Sequence, residues 1–235
     1  MNKYVQDALI HAAQQSEAWS KLRLGRFTGS GISALMTKPK SKEAREAGLF
    51  SQTAMTYITK KAMEVITNQS SDDAYGRAID WGNEWEQTAI EQVVKKMQLN
   101  SETLILKPAF KLFNDYTGCS PDAFVDYEGM QVGLEVKCPF NSVNHYEHSK
   151  VTDSEALKDI APDYYWQIML NMIVHKMPMW LFASFDPRQP EHRMVHVCPI
   201  LFSIQDAEDL LQSIEKAQAI KLEIINEWMT PTNHE

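Results

Sequence analysis

The chain has few cysteines and no long apolar run, and both shortages narrow its possible functions. Its three cysteines, Cys119, Cys138 and Cys198, show no CxxC spacing, which argues against a zinc knuckle and is typical of reduced cytosolic thiols. The most apolar stretch, residues 164–185, is interrupted by polar residues and a proline, which indicates a buried helix and strand rather than a membrane span. The N-terminal segment lacks the continuous apolar core of a signal sequence. We therefore expect a cytoplasmic protein without a membrane span.

Positive charge is also scarce. The chain carries 23 Lys and Arg against 31 Asp and Glu, a formal net charge of -8 and a pI near 5.4. This balance disfavours a general nucleic-acid coat, because duplex DNA is itself a dense anion. It does not exclude a metal-dependent nuclease, which concentrates carboxylates in its site and confines its basic residues to one channel. With 235 residues, 44% of them hydrophobic, the composition fits one globular domain over residues 1–235.

The order of predicted elements indicates an α/β fold. Helices are expected at residues 4–15, shortly after Thr28, at 51–67 with Ser51 as N-cap, and at 73–97, with a mobile surface loop at 38–50. A strand within 103–110 that Pro108 ends, and a hairpin of 122–127 and 130–137 around Glu128-Gly129, follow. A helix at 162–176, strands at 179–185 and 193–198, and a helix at 204–228 complete the chain. The pattern predicts a mixed central β-sheet flanked by helices.

The predicted hairpin concentrates charge at one position. A two-residue turn pairs Tyr127 with Met130, and counting back from that pair places Asp122 opposite Glu135. Opposed carboxylates repel unless a cation lies between them, and Lys137 stands two residues further along the same strand face. Oxygen ligands of this kind suit Mg²⁺ or Mn²⁺, which polarise phosphodiesters and lower the pKa of bound water. The alternative is a solvated strand face on which the lysine screens two acids.

A third carboxylate lies on the helix predicted at 73–97. Glu86 precedes Ala89 and Ile90 by three and four residues, so it falls on the apolar stripe of that helix. A carboxylate on a buried face is costly unless it is paired or bound to a metal. With the acidic hairpin present, Glu86 is a candidate third ligand. The alternative is an acid at the edge of the stripe that reaches water.

Residues 19–31 could form a phosphate site. Arg23 and Arg26 precede the small residues Thr28-Gly29-Ser30 at the start of a predicted helix. Backbone amides, the Ser30 hydroxyl and a guanidinium together can bind a phosphate. The alternative is an ordinary helix cap with solvated arginines.

Four sequence blocks together resemble the phage lambda exonuclease family of phage-recombination nucleases, within the PD-(D/E)XK superfamily. The blocks are Trp19 with residues 21–25 and 28–30; residues 81–86 with Ala89; Ser120-Pro121-Asp122 with residues 134–140; and Trp166-Gln167 with residues 185–188. The resemblance implies a restriction-endonuclease-like core that digests one strand of duplex DNA from 5′ to 3′. It further implies release of 5′-mononucleotides, 3′ single strands for recombination, a homotrimer, a single-strand annealing partner and a phage gene expressed in bacterial cytoplasm.

The resemblance also implies roles for individual residues. Two Mg²⁺ ions, for which Mn²⁺ can substitute, would be held by Asp122, Glu135, the Val136 carbonyl and Glu86, with Lys137 assisting the attacking water. The 5′-phosphate at a DNA end would be bound by a second set of residues, Arg23, Ser30, Ser120 and Gln167. The sequence departs from the family pattern at Gly29, where alanine is more usual, at Arg26, which replaces an apolar residue, at Ala123, which replaces a glycine, and in a slightly longer hairpin.

Two other functions are compatible with the same core. One is a structure-specific or restriction-type endonuclease, which would cut covalently closed circular DNA. The other is a non-catalytic module that binds DNA ends. A module of that kind needs neither the acids nor the lysine, yet Glu86, Asp122, Glu135 and Lys137 are all present.

Overall fold

A mixed five-stranded sheet forms the centre of the molecule. The computed structural model describes residue 14, residues 16–71 and residues 76–231. The sheet has the strand order β2-β5-β6-β7-β8. Its strands are β2 (Ile105–Leu106), β5 (Ala123–Tyr127), β6 (Met130–Lys137), β7 (Met179–Phe185) and β8 (Val195–Leu201). The central strands β6 and β7 are parallel, and the other neighbouring pairs are antiparallel. A smaller sheet of β1 (Phe27–Thr28), β4 (Thr117–Cys119) and β3 (Lys111–Asn114) lies apart from it.

Helices cover both faces of the main sheet. In chain order they are α1 (Glu17–Arg23), α2 (Lys42–Glu46), α3 (Gln52–Thr67), α4 (Arg77–Met97), α5 (Ser142–His148), α6 (Ser154–Ile160), α7 (Pro162–His175) and α8 (Ile204–Met229). Short 3₁₀ helices span Gly29–Met36, Ser101–Thr103 and Glu191–Arg193. Among the described helices, none is both long and apolar enough to cross a bilayer.

Side chains alternate between the two faces of each strand, so a hydrophobic core forms on each face of the main sheet. On β6, Val132, Leu134 and Val136 pack in one core with helix α4. Successive strand residues point to opposite faces, so Glu135 and Lys137 point to the other face, where helix α7 packs. The candidate site residues of β6, Glu135 and Lys137, therefore lie between the sheet and α7.

Most predicted elements are confirmed, and the hairpin agrees residue by residue. Tyr127 pairs with Met130 and Ala123 with Leu134, the register that the two-residue turn predicts. Left-handed backbone conformations at Glu128 (φ 55°) and Gly129 (φ 79°) make that turn. Ser51 caps α3 by accepting the Ala54 N–H at 3.0 Å. The mixed α/β architecture is as expected.

Several boundaries were wrong. The expected loop at 38–50 contains helix α2, because the Ser41 hydroxyl caps its first turn. The last strand covers Val195–Leu201 rather than 193–198, since a 3₁₀ turn occupies the residues before it. The strand expected within 103–110 is only Ile105–Leu106. Helix α4 begins at Arg77, and residues 73–75 of its expected start lie outside the described residues, as does nearly all of the helix expected at 4–15.

Candidate active site

The hairpin brings Asp122, Glu135 and Lys137 together at one end of the central strand. Asp122 immediately precedes β5, and its Oδ2 accepts the Val136 N–H at 2.8 Å, which ties the aspartate to β6. Glu135 is fully buried, and its Oε1 lies 2.6 Å from the Lys137 Nζ. The Lys137 ammonium also lies 4.7 Å from the centre of the Tyr164 ring. The three charged groups predicted from the hairpin are therefore assembled on one face.

Helix α7 supplies two amide side chains to the same site. Gln167 Nε2 donates to Glu135 Oε1 at 2.5 Å, and Asn171 Nδ2 donates to Glu135 Oε2 at 3.2 Å. Lys137 Nζ also donates to Gln167 Oε1 at 3.3 Å. Because Gln167 and Asn171 are four residues apart, they project from the same side of the helix. Both oxygens of the buried Glu135 carboxylate are thus hydrogen-bonded.

Burial and charge shift the proton affinities of this group. Desolvation raises the pKa of Asp122 well above its ordinary range, and the neighbouring Glu135 raises it further. Desolvation likewise raises the pKa of Glu135, although Lys137 opposes that change. Burial alone would lower the pKa of Lys137, but Glu135 and Asp122 outweigh it, so this pKa is raised. A buried pair of mutually repelling carboxylates is an arrangement that a divalent cation would stabilise.

Glu86 approaches the site from the opposite face of the sheet. Its helix α4 packs on the other side of β6, and Glu86 Oε1 lies 3.2 Å from Lys107 Nζ. Lys107 is itself held beside the site, because its backbone N–H donates to Asp122 O at 2.8 Å. Within the described ranges, no three His, Cys, Asp or Glu side chains are grouped closely enough to hold a metal ion. Glu86 is therefore paired with a lysine, and it lies near enough to the two hairpin acids for its charge to raise the pKa of each.

The hard oxygen donors of this site suit Mg²⁺ or Mn²⁺. Asp122 uses one carboxylate oxygen for the Val136 N–H, which leaves Oδ1 as a donor for a metal. Asn171 Oδ1 is buried and accepts no hydrogen bond from any described residue, so the site also holds an unsatisfied acceptor. These groups fit a hard divalent cation by their chemistry.

A second polar site lies beside the first. Arg23 Nη2 donates to Ser30 Oγ at 3.2 Å, and the Arg23 guanidinium stacks 4.2 Å from the centre of the Trp19 ring. The Trp19 indole N–H in turn donates to Ser120 Oγ at 2.8 Å. Arg23 and Ser30 line a cavity of about 600 Å³. Three of the four residues expected to bind a phosphate are thus connected through one tryptophan.

Gln167, the fourth of them, connects the two sites. Its polar end bonds Glu135 and Lys137, whereas its stem packs against Gly29, the residue before Ser30. A Cβ at Gly29 would lie 3.3 Å from Gln167 Cγ, so the absence of a side chain there permits this approach. Gln167 therefore lies between the acid–lysine cluster, which it bonds, and Gly29, which adjoins the arginine–serine cluster.

Sequence reasoning missed Asn171 and Lys107. The signal for Asn171 was present, because an amide four residues after Gln167 interrupts an otherwise apolar helix. Lys107 had no such local signal, since its place depends on the bond between its backbone and Asp122. His145 and His148 are buried and share the Ser184 hydroxyl at 2.9 and 3.2 Å, so both are held within the core.

Comparison with known proteins agrees with this geometry. A family model described as the YqaJ-like viral recombinase domain matches residues 18–178. The chain belongs to this family. The matched region of the YqaJ-like domain includes every candidate site residue, from Arg23 to Gln167. No curated protein matches the chain.

Solved structures show that the YqaJ-like domain shares its fold with exonucleases. An alkaline exonuclease from Laribacter hongkongensis aligns with a TM-score of 0.72 at 18% identity, over 91% of this chain and 96% of that one. The same enzyme in complex with dAMP aligns equally well at 20% identity and the same coverage. A phage related exonuclease from Haemophilus somnus 129PT gives 0.70 at 16% identity, over 86% and 96%. The fold is that of the PD-(D/E)XK nucleases.

Proposed function

We propose that this chain is a divalent-metal-dependent exonuclease that degrades one strand of duplex DNA from its 5′ end and releases 5′-mononucleotides. One observation carries the proposal: Gln167 bonds Glu135 and Lys137, and its stem lies beside Gly29, the residue before Ser30 of the Arg23 and Ser30 pocket. A terminal phosphate in the pocket would place the first phosphodiester beside the acids and leave internal bonds out of register. Family membership and the fold shared with exonucleases also support it.

The residues divide the chemistry between them. Asp122, Glu135 and the Val136 carbonyl would hold the catalytic Mg²⁺ or Mn²⁺, and Glu86 would help to hold a second ion. When bound, such an ion would polarise the scissile phosphodiester. Lys137 is fixed by Glu135 and Gln167, so its ammonium is placed to orient the attacking water or to stabilise negative charge on the phosphate.

The proposed pocket explains why an end rather than an internal bond is cut. The planar guanidinium of Arg23 can engage two phosphate oxygens at once, which a lysine cannot reproduce. The Trp19 ring fixes the plane of that guanidinium, and the Trp19 N–H fixes Ser120, which stands two residues before Asp122. A phosphate held by both residues would thus lie close to the metal ligands.

The decisive experiment compares four DNA substrates with and without Mg²⁺. Linear duplexes with 5′-phosphate or 5′-hydroxyl ends, a nicked circle and a covalently closed circle are each incubated with the wild type. We expect rapid release of mononucleotides from the phosphorylated linear duplex, none from the closed circle, and no reaction in EDTA. Cleavage of the closed circle would favour the endonuclease instead, and binding without cleavage would favour an end-binding module.

Substitutions test which residues are needed for cleavage and which for recognition of the 5′-phosphate. Lys137→Ala should abolish cleavage in a folded protein, whereas Lys150→Ala, which removes an exposed lysine paired with Glu147, should not. Arg23→Ala should lose most of the preference for phosphorylated ends, a change of about 10- to 100-fold for one charge-assisted contact. A persistent preference in Arg23→Ala would place the pocket elsewhere.

We also infer the wider setting from family membership. The proposal includes one nuclease domain over the whole chain, a homotrimer, a single-strand annealing partner and action in bacterial cytoplasm during phage recombination. Light scattering coupled to gel filtration tests the trimer, for which a monomeric mass in active fractions would be the contrary result.

A further inference from the structure

The turn that links the two halves of the proposed phosphate pocket is fastened by buried charged side chains. Residues 25–31 lead from the end of helix α1, which carries Arg23, to the 3₁₀ helix that carries Ser30. Both backbone polar groups of Gly25 are bound: its N–H donates to Glu64 Oε2 at 2.9 Å, and its carbonyl accepts from Lys221 Nζ at 2.8 Å. Helix α3, through Glu64, and the last helix α8, through Lys221, thus hold the same residue.

Both side chains that hold Gly25 are almost completely buried. Glu64 is 1% exposed and Lys221 4% exposed. A third buried charge, the Lys61 ammonium, lies 3.0 Å from Glu64 and lines the same cavity as Arg23 and Ser30. Buried charges are costly, and apolar residues of similar size would join the helices at a lower cost. What the charged groups add is a fixed direction for each hydrogen bond.

The Gly25 turn has little freedom to relax. Gly25 has φ +68°, and a Cβ on it would lie 2.4 Å from Val65 Cγ2, so helix α3 fits tightly against the turn. At the other end of the segment, the Thr28 N–H donates to the Tyr57 hydroxyl at 3.1 Å. Helix α3 therefore holds both ends of the stretch between Arg23 and Ser30, and Lys221 reaches the same stretch from α8.

We propose that Lys221 and Glu64 are positioning residues for recognition of the 5′-phosphate, acting by fixing the Gly25 turn and hence the spacing between Arg23 and Ser30. This inference rests on the proposed function of that pocket. It makes the C-terminal helix part of end recognition, although α8 contributes no residue to the proposed phosphate contacts. Catalysis at Asp122, Glu135 and Lys137 does not depend on the turn directly.

The test measures kcat and KM on duplexes with 5′-phosphate and 5′-hydroxyl ends. Lys221→Met removes the bond to the Gly25 carbonyl while keeping much of the apolar stem, and Glu64→Gln removes the negative charge but keeps an acceptor oxygen. Lys216→Met is the matched control, because Lys216 lies on the same helix and donates to the carbonyl of Gly48, far along the chain from the pocket. Thermal unfolding shows which variants are folded.

We expect Lys221→Met to lose about 10-fold in kcat/KM on phosphorylated ends, the scale of effect that a small misplacement of binding groups produces. Its rate on hydroxyl ends should be unchanged, and Lys216→Met should keep the full preference. Glu64→Gln should show a smaller loss of kcat/KM on phosphorylated ends. If Lys221→Met does not fold, the result for Glu64→Gln tests the positioning role. The positioning role would be overturned if the folded variants kept the wild-type preference for phosphorylated ends, or if their kcat/KM fell equally on both substrates. Equal wild-type rates would instead overturn the proposed pocket, and this inference with it.

Discussion

The repulsion between Asp122 and Glu135 predicts that removing one charge stabilises the metal-free protein. Asp122→Asn keeps the shape of the side chain and an oxygen that can accept the Val136 N–H. Two opposed carboxylates about 5 Å apart repel by about 3 kcal/mol at an effective dielectric constant near 20. Lys137 offsets part of that repulsion. We therefore expect the free energy of unfolding in EDTA to rise by about 1–2 kcal/mol.

The direction of the pKa shift gives this gain a definite pH dependence. The pKa of Asp122 is raised in the folded state, so the folded chain holds its proton more tightly than the unfolded chain does. Wild-type stability relative to Asp122→Asn is therefore greatest at low pH and is lost as pH rises from 3.8 through the folded-state pKa. The advantage of the variant should be larger at about pH 9 than at about pH 4.

Urea denaturation followed by tryptophan fluorescence measures both effects. Asp126→Asn is the matched control, because Asp126 lies on the same hairpin and caps the turn through the Gly129 N–H at 2.9 Å. The control should show no gain. In millimolar Mg²⁺ the order should reverse, because an ion that binds only the folded wild type stabilises it by mass action. A less stable Asp122→Asn in EDTA, or equal stabilisation of both proteins by Mg²⁺, would refute the reasoning.

Three further predictions concern packing and proton uptake. A Cβ at Gly133 would lie 2.0 Å from the Trp180 ring, so Gly133→Ala should lower the free energy of unfolding, measured with urea, by about 1–3 kcal/mol. Gly82→Ala, in a helix with open space, should raise it by up to about 1 kcal/mol. Burial lowers the pKa of His148 from 6.5 to about 4, so the unfolded chain takes up this proton at a higher pH than the folded chain does. As pH falls from 6.5 to about 4, the free energy of unfolding of the wild type should decrease by about 3 kcal/mol relative to that of His148→Phe. Parallel curves of stability against pH for the two proteins would contradict this. Burial likewise lowers the pKa of Lys221 from 10.5 to about 8. As pH rises from about 8 to 10.5, urea titrations should therefore show the wild type gaining stability relative to Lys221→Met. A difference in stability that does not change with pH would be the contrary result.

The parts of the fold that the sequence predicts are those that local rules determine. The two-residue turn at Glu128-Gly129 allows only one register, so the hairpin and the opposition of Asp122 and Glu135 follow from counting. Helix α7 follows from Pro162 and a long apolar run. These features need no information from distant parts of the chain.

The smaller sheet could not be predicted in the same way. Its strands have two to four residues each, which is too short for a period to be recognised. Strand β1 pairs in parallel with β4, about ninety residues later along the chain, and nothing local specifies that partner. The sheet matters for the site because β4 ends at Cys119, the residue before Ser120.

The candidate site also has one part that local sequence determines and another that depends on distant segments of the chain. Asp122, Glu135 and Lys137 are joined by one hairpin, and their convergence is a local property of the sequence. The connection from Glu135 to Arg23 is not local, because it runs through Gln167 on α7, Gly29 and Ser30. Only tertiary packing brings these segments together.

Under the proposed function, the difference between the local hairpin and the phosphate pocket built by tertiary packing would explain how one nuclease core can act as an exonuclease or as an endonuclease. Under the proposed function, the acids and the lysine of the hairpin would act on any phosphodiester that reaches them, whether at an end or inside a duplex. Discrimination between those substrates must come from groups outside the hairpin. In this chain the proposed groups stand on α1, the 3₁₀ helix and α7, and buried charges from α3 and α8 hold the turn between the first two. Changes at those helix contacts should therefore alter end selectivity while the chemistry of the hairpin is retained.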